Sequence, residues 1–376
     1  MFRSKKLTKI ILANFLVLVL CLAFLAIVPP AISDIYFYLQ KMGLFSPNTT
    51  KDPRAFLPNY KNSEWSSEHF QEFNALESQY FDYIGWRRKS FSGKTININH
   101  EGYRQDPQSK ATTSRDAQIW VFGGSTVWGS GARDFETIPA FLEQASQLAT
   151  FNFGESGYVA HQNLNLLMKA YLNGGHPKYV IFYDGVNEVL HKCRAQQTFY
   201  STAYEGKIRW QIEESLRISN HSLARVFSPS FQLIQKLFNS EASTSEHPKY
   251  TCAQDPKKTQ KIAEGLANDW KTARYIVESN GGKFLAVLQP NAYTGHPNLK
   301  HLQSVVDDTD LRQQFDTVYP TIRKTLEHDK FPYHDLSDAL DGSQYFYIDA
   351  YHVSPNGNEV IASKIAQALA GRPLRD

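Results

Sequence analysis

Short apolar runs alternate with longer amphipathic segments from about residue 117 onward, and this alternation constrains the fold more than any other feature of the chain. Five runs predict buried strands, at 119–122, 150–153, 179–183, 283–288 and 333–336. Segments with helical spacing lie between or after them, at 135–148, 159–172, 257–279 and 354–369. Strands that alternate with helices are typical of a mainly parallel sheet with helices on both faces. The sequence therefore predicts an α/β fold, a three-layer α/β/α sandwich.

The rest of the chain is organised around this pattern. With 376 residues, the protein is long enough for one large domain and additional segments. Residues 34–110 are polar and aromatic, and we interpret them as a membrane-proximal lead-in segment to a domain at 111–376. The stretch 191–256 interrupts the alternation and is polar, aromatic and rich in serine. It is predicted to be an inserted lid or substrate loop.

The N-terminus carries a strongly apolar run at residues 10–28, interrupted by a single asparagine. About 20 apolar residues span a bilayer, so residues 1–33 are predicted to be a cytoplasmic basic tip followed by a transmembrane signal anchor. A cleaved signal peptide is the alternative, since both begin with basic residues. Four cations precede the run, namely Arg3, Lys5, Lys6 and Lys9. The positive-inside rule then places the remaining chain outside the cytoplasm, in the periplasm or at the cell surface.

Charge and cysteine content exclude several classes of protein. Removing the four N-terminal cations from the total of 40 basic residues leaves 36, against 37 acidic residues, so no basic face for nucleic acid is indicated. Three cysteines are too few for a disulfide-stapled miniprotein or a multi-cysteine zinc module. Cys193 and Cys252 form either one disulfide or two buried thiols. No histidine and carboxylate cluster has the spacing of metal ligands, and His191 is expected to lie in a loop.

Polar residues follow the predicted strands, where the carboxyl ends of a parallel sheet gather side chains at one edge. Ser125 comes after two glycines, which suits an exposed nucleophile. Gly157 follows the second strand and Asn187 the third. Asp349 and His352 stand three positions apart before the last helix. The chain lacks a Gly-x-Ser-x-Gly elbow, a phosphate-binding loop and a dinucleotide fingerprint.

In combination these segments resemble the sequence blocks of the SGNH hydrolase superfamily, also called GDSL-like esterases and lipases. The Gly-Asp-Ser block corresponds to residues 123–125, with Gly124 in place of the aspartate. The Gly-x-Asn-Asp block corresponds to residues 185–188, which end in glutamate, and the Asp-x-x-His block matches residues 349–352. The resemblance covers residues 117–370 and implies a flavodoxin-like sheet of five strands.

The resemblance also implies a role for each matched residue. Ser125 is the expected nucleophile, His352 the general base and Asp349 the group that orients the imidazole. The backbone N–H groups of Ser125 and Gly157 and the side-chain amide of Asn187 are the expected oxyanion hole. This chemistry needs no cofactor and no metal. Polar residues within or close to the blocks are candidate substrate contacts: Glu155, Gln162 and Glu188.

Three functions from different classes follow from this sequence. We expect a membrane-anchored extracytoplasmic serine esterase that removes O-acyl groups, acetyl above all, from a surface or exported polysaccharide. An O-acyltransferase using the same serine, histidine and aspartate is the first alternative. A catalytically idle polysaccharide-binding or assembly protein is the second. The sequence leaves the oligomeric state open.

Overall fold

The computed structural model describes residues 51–195 and 250–371, together with single residues and short runs at 12–24 and 202–212. The chain divides into two compact units, one of residues 51–205 and 248–376, the other of residues 1–50 and 206–247. Most of the predicted anchor and most of the predicted insertion lie outside the described residues. Within the described parts of the chain, no helix has the length and apolar character to cross a membrane.

The described secondary structure consists of nine strands and nine α-helices in the two long ranges. The strands are β1 (Ser78–Phe81), β2 (Gly85–Arg88), β3 (Phe91–Ser92), β4 (Asn97–Ile98), β5 (Ile119–Gly123), β6 (Thr150–Asn152), β7 (Tyr179–Asp184), β8 (Lys283–Leu288) and β9 (His334–Asp335). The helices are α1 (Ser66–Ala75), α2 (Ser125–Trp128), α3 (Ile138–Ser146), α4 (Ala160–Leu172), α5 (Val186–Lys192), α6 (Pro256–Ser279), α7 (Gln303–Asp307), α8 (Thr309–His328) and α9 (Pro355–Leu369). Short 3-10 helices cover Pro53–Phe56, Pro58–Tyr60, Asp134–Glu136 and Cys252–Gln254.

The last five strands form one parallel sheet in the order β6-β5-β7-β8-β9. This is the flavodoxin-like order, in which the chain reverses direction beside the first strand of the sheet. Every residue of β5 is buried, because helices cover both faces of a parallel sheet. The predicted α/β fold with a five-stranded parallel sheet is confirmed.

Helices lie on opposite faces of the sheet because parallel crossovers are right-handed. The step from β5 to β6 runs in one direction along the sheet, and all later steps run in the other. Helix α3 consequently packs with α9, whereas α4 and α8 both pack with α6. Helix α8 has no counterpart among the predicted elements. It contains Pro320, yet its buried residues recur at helical spacing, among them Leu311, Phe315, Val318 and Ile322.

Residues 51–110 belong to the same compact unit as the sheet and pack against it through aromatic and basic side chains. The Tyr60 hydroxyl donates to the Gly131 carbonyl at 2.6 Å. Buried Arg104 forms an ion pair with buried Asp134, with 2.8 Å between Nε and Oδ1. Strands β1 and β2 pair as an antiparallel hairpin, as do β3 and β4. The lead-in segment thus contributes side chains to the edge of the α/β core.

The predicted insertion has ordered attachment points on the same unit. Cys193 and Cys252 are joined by a disulfide, with 5.2 Å between their α-carbons. Beside this bond, Arg194 and Tyr250 form an isolated antiparallel bridge. Helix α5 continues through Lys192, so the interruption of the fold begins after residue 192 and not at residue 191. The disulfide therefore joins the two ends of the segment that lies between α5 and α6.

Candidate active site

Ser125 is the first residue of helix α2, directly beyond the carboxyl end of strand β5. Its Oγ lies 2.6 Å from Nε2 of His352, which is 227 positions away in the sequence. The other imidazole nitrogen, Nδ1, lies 2.6 Å from Oδ2 of Asp349. All three residues are partly exposed. The structure thus brings one hydroxyl, one imidazole and one carboxylate into hydrogen-bond contact in that order.

The Asp349 carboxylate orients both the imidazole and the loop that carries it. Its Oδ1 accepts the backbone N–H groups of Tyr351 and His352, at 3.0 and 2.7 Å. Desolvation would raise the pKa of Asp349, but His352 and these N–H groups outweigh it and lower the pKa to about 2. An ionised carboxylate only accepts hydrogen bonds, so Nδ1 carries the imidazole proton. Nε2 of a neutral ring is then free to accept the Ser125 hydroxyl proton.

Two of the expected oxyanion donors are backbone N–H groups, those of Ser125 and Gly157. Ser125 begins its helix, so its N–H has no partner within that helix. Neither this N–H nor that of Gly157 has an acceptor among the described residues. Gly157 has a φ of +76°, and an added Cβ would lie 2.6 Å from Ala203 Cβ, so glycine is required here. Both N–H groups remain available to a bound oxyanion.

Asn187 supplies an amide to the same region. It lies in the first turn of helix α5 and is 8% exposed. Its Nδ2 donates to the Tyr158 carbonyl at 2.7 Å, which orients the amide. An amide nitrogen has two protons, so a second donor remains. The three expected oxyanion donors thus follow three strands of the parallel sheet, namely β5, β6 and β7.

The three expected substrate contacts are instead buried, which corrects that prediction. Glu155 is fully buried, and its two carboxylate oxygens accept the backbone N–H groups of Arg88 at 2.9 Å and Ser156 at 2.7 Å. A carboxylate enclosed in this way holds the strand β2 against the loop after β6. It has no surface left for a substrate.

Gln162 and Glu188 are also buried, and each forms hydrogen bonds with the backbone of another segment. Gln162 Nε2 donates to the Ile84 carbonyl at 2.8 Å. Glu188 is fully buried and accepts from the backbone N–H groups of Ala160 at 2.7 Å and Gly185 at 3.1 Å. The glutamate that replaces the block aspartate therefore ties the start of α4 to the start of α5. Its longer side chain reaches a backbone group on another helix.

His191 is a residue near the site that sequence analysis placed in a loop. It lies in helix α5, four positions after Asn187 and thus on the same helical face. An added Cβ at Gly157 would lie 3.6 Å from its Nε2 and equally far from Cζ2 of Trp86. The spacing of four from Asn187 is the sequence signal that could have located His191. Nothing in the sequence indicates the approach of Trp86.

The described part of the chain offers no group of three or more histidine, cysteine, aspartate or glutamate residues arranged for a metal ion. Fold and site together define an α/β protein with a serine–histidine–aspartate arrangement beyond the carboxyl end of a parallel strand. This architecture is consistent with the SGNH hydrolase fold that the sequence blocks imply.

Neither a protein-family model nor a curated protein matches this sequence. Among solved structures, similarity is found to a carbohydrate acetylesterase from Sinorhizobium meliloti, with 13% identity, 67% of this chain and 98% of that chain covered, and a TM-score of 0.38. A GDSL-like lipase from Bacteroides thetaiotaomicron has 13% identity, coverage of 70% and 91%, and a TM-score of 0.36. A member of the lipolytic G-D-S-L family from Veillonella parvula has 10% identity, coverage of 67% and 96%, and a TM-score of 0.36. These values describe a distant likeness.

Proposed function

We propose that this protein is a serine ester hydrolase of the SGNH type. The observation that carries the proposal is the continuous contact from Ser125 Oγ through the His352 imidazole to Asp349, with 2.6 Å at each step. A serine hydroxyl is a weak nucleophile unless an adjacent base removes its proton. The unpaired N–H groups of Ser125 and Gly157 and the amide of Asn187 supply the charge stabilisation that acyl transfer requires.

In the acylation step, Ser125 Oγ attacks the carbonyl carbon of the ester while Nε2 of His352 takes the hydroxyl proton. The carbonyl oxygen becomes an anion and is held by the N–H groups of Ser125 and Gly157 together with the Asn187 amide. Asp349 stabilises the imidazolium that forms. The carbon–oxygen bond to the alcohol then breaks, Nε2 gives its proton to the leaving oxygen, and an acyl-serine remains.

In the deacylation step, a water molecule replaces the alcohol. Nε2 of His352 takes a proton from that water as its oxygen attacks the acyl carbon. The same donors hold the second oxyanion. The bond to Ser125 Oγ breaks, Nε2 returns the proton to this oxygen, and the carboxylic acid leaves. An acyltransferase would differ only in that a second alcohol takes the place of the water.

We further propose that the alcohol is a sugar hydroxyl on a surface or exported polysaccharide, and that the chain acts outside the cytoplasm, anchored by residues 1–33. Tyr351 supports the proposal of a sugar substrate, because this residue is partly exposed and its ring centroid lies 4.7 Å from that of the His352 ring. The leaving alcohol departs from the side of this imidazole. The basic N-terminus followed by an apolar run supports the anchor.

The test is hydrolysis of 4-nitrophenyl acetate by the full-length protein and by its Ser125→Ala variant. We expect Ser125-dependent release of nitrophenol and covalent labelling of Ser125 by a fluorophosphonate. Ser92→Ala is the matched control, since Ser92 is an exposed serine on strand β3. Equal rates for the wild type and Ser125→Ala would overturn the hydrolase. Acetate release from an O-acetylated polysaccharide, compared with the same polymer after alkaline deacetylation, tests the sugar substrate separately.

A further inference from the structure

Thr126, the residue after the expected nucleophile, is a buried link between two loops of the site. It is 5% exposed and lies in the first turn of helix α2. Its Oγ1 donates to the backbone carbonyl of Tyr351 at 3.4 Å and accepts from Gln289 Nε2 at 2.9 Å. Tyr351 immediately precedes His352. The hydroxyl therefore contacts the loop that carries the imidazole, one residue from the serine that the imidazole faces.

Gln289 holds this hydroxyl from a rigid position. It follows strand β8 and is 3% exposed. Its backbone N–H donates to the Asp184 carbonyl at 2.8 Å, and its own carbonyl accepts the Tyr319 hydroxyl at 2.7 Å. The backbone of Gln289 is thus held by the sheet on one side and by helix α8 on the other. From this position its buried amide donates Nε2 to the Thr126 hydroxyl.

The loop after β8 also supports the histidine loop directly. The backbone N–H of Ala292 donates to the Ala350 carbonyl at 2.9 Å. Within the histidine loop, the N–H of Ile348 donates to the His352 carbonyl at 2.9 Å. The first of these bonds ties the histidine loop to the loop after β8, and the second closes the histidine loop on itself. The contact through Thr126 joins the same loop to the turn that carries Ser125, next to the contact between His352 and Ser125 itself.

We propose that Thr126 and Gln289 are positioning residues that hold the imidazole of His352 against the Ser125 hydroxyl. The proposal rests on the esterase function proposed above and extends it beyond the matched sequence blocks, because Gln289 belongs to none of them. A reacting pair held at hydrogen-bond distance loses about 10²-fold in rate when it is misplaced by 1 Å. Neither Thr126 nor Gln289 is the nucleophile, the base or an oxyanion donor in the proposed mechanism, so their effect acts through His352.

The experiment compares Thr126→Val, which keeps the shape but lacks the hydroxyl, with Thr126→Ser, which keeps the hydroxyl. We expect Thr126→Val to lower kcat for 4-nitrophenyl acetate by about 10- to 100-fold with KM changed less than about twofold. Thr126→Ser should retain most of the wild-type kcat. Thr259→Val is the matched control. Thr259 is also a buried threonine, and its hydroxyl donates to the Cys252 carbonyl at 2.9 Å in another part of the fold.

A second measurement combines Thr126→Val with Gln289→Leu in a double-mutant cycle. If Thr126→Val does not fold, the kcat of Gln289→Leu alone still tests the proposal. Gln289→Leu alone should lower kcat less than Thr126→Val, because the threonine can still donate to the Tyr351 carbonyl. The double variant should match Thr126→Val within about twofold, since both changes break one chain of contacts. Full kcat in folded Thr126→Val or in Gln289→Leu, equal losses in Thr126→Val and Thr126→Ser, or additive losses in the double variant would overturn the proposal. Absence of Ser125-dependent hydrolysis in the wild type would instead overturn the proposed function.

Discussion

Asn187 occupies the space that a side chain at position 124 would need. A Cβ added to Gly124 would collide with the Nδ2 atom of Asn187. The aspartate of the Gly-Asp-Ser block therefore has no room here while the amide holds its position. The position of the amide is in turn set by its hydrogen bond to the Tyr158 carbonyl. Glycine at position 124 and asparagine at position 187 are thus two parts of one arrangement beside Ser125.

The first prediction concerns this amide. Replacing Asn187 with alanine removes one donor to the developing oxyanion, so we expect kcat to fall by about 10²- to 10³-fold. KM should change much less, because the oxyanion forms only after binding. Steady-state kinetics with 4-nitrophenyl acetate provide the measurement, with Asn62→Ala, at an exposed position, as the control. Wild-type kcat in a folded Asn187→Ala protein would remove Asn187 from the oxyanion hole.

The second prediction concerns the Asp349 carboxylate. Asp349→Asn should lower kcat by about 10²- to 10⁴-fold, because an amide cannot stabilise the imidazolium and favours the wrong tautomer of His352. The pKa of Asp349 is lowered to about 2, so this carboxylate stays ionised throughout the range from pH 4 to 9. The difference in kcat between the wild type and Asp349→Asn should therefore persist across that pH range. Asp338→Asn, at an exposed position, is the control. An Asp349→Asn protein as active as the wild type would exclude a role of Asp349 in stabilising the imidazolium.

The third prediction concerns the dependence of stability on pH. Burial of His191, aided by Arg194 and Lys192, lowers its pKa to about 3, and neither ring nitrogen has a partner among the described residues. Between pH 6.5 and 3 the unfolded chain binds a proton at this site that the folded chain does not. The free energy of unfolding should therefore fall on acidification, by about 1.4 kcal/mol per pH unit from this residue.

The His191→Phe variant tests this prediction. It removes the buried imidazole, so its stability should decline less steeply than that of the wild type as the pH falls below about 6. Urea unfolding at several pH values measures the difference, and His176→Phe, at an exposed position, is the control. If the free energy of unfolding falls equally with pH in the wild type and in His191→Phe, then the pKa of His191 is not lowered in the folded protein.

The fourth prediction concerns the disulfide between Cys193 and Cys252. The two residues are 59 positions apart, and a cross-link that closes a loop of this length stabilises a fold by roughly 4 kcal/mol in the chain-entropy model. The Cys193→Ser/Cys252→Ser protein should therefore unfold at a markedly lower urea concentration. Cys21→Ser, which removes an exposed free cysteine, should not. An unchanged urea midpoint of unfolding in the double variant would show that other contacts hold the two ends of the insertion together.

Much of the fold could be predicted because it depends on local patterns. Strand β8 has the predicted bounds, and the bounds of α4 and α9 differ from the predictions by one residue at the N-terminal end. Helix α8 was not predicted, since Pro320 and a polar composition conceal its buried stripe. The hairpins of residues 78–98 were not predicted either. Two-residue strands such as β3 and β4 are too short to show the alternation of apolar and polar residues by which a strand is recognised.

The chain order of the blocks placed Ser125, Gly157, Asn187 and the Asp349–His352 loop at one edge of the sheet. The blocks did not tell which nearby polar residues face that edge. Glu155 and Glu188 look like substrate contacts in the sequence, yet each is enclosed by backbone N–H groups of distant segments.

The sequence by itself determined the alternation of strands and helices and the chemical types of the residues that follow the strands. Burial periodicity and glycine placement act within a few residues of backbone, so they can be recognised without coordinates. Only the tertiary structure decided that Gln289 reaches Thr126, that Asn187 excludes a side chain at position 124, and that His191 lies beside Gly157. These contacts join residues far apart in the chain, and packing of the whole domain sets their distances.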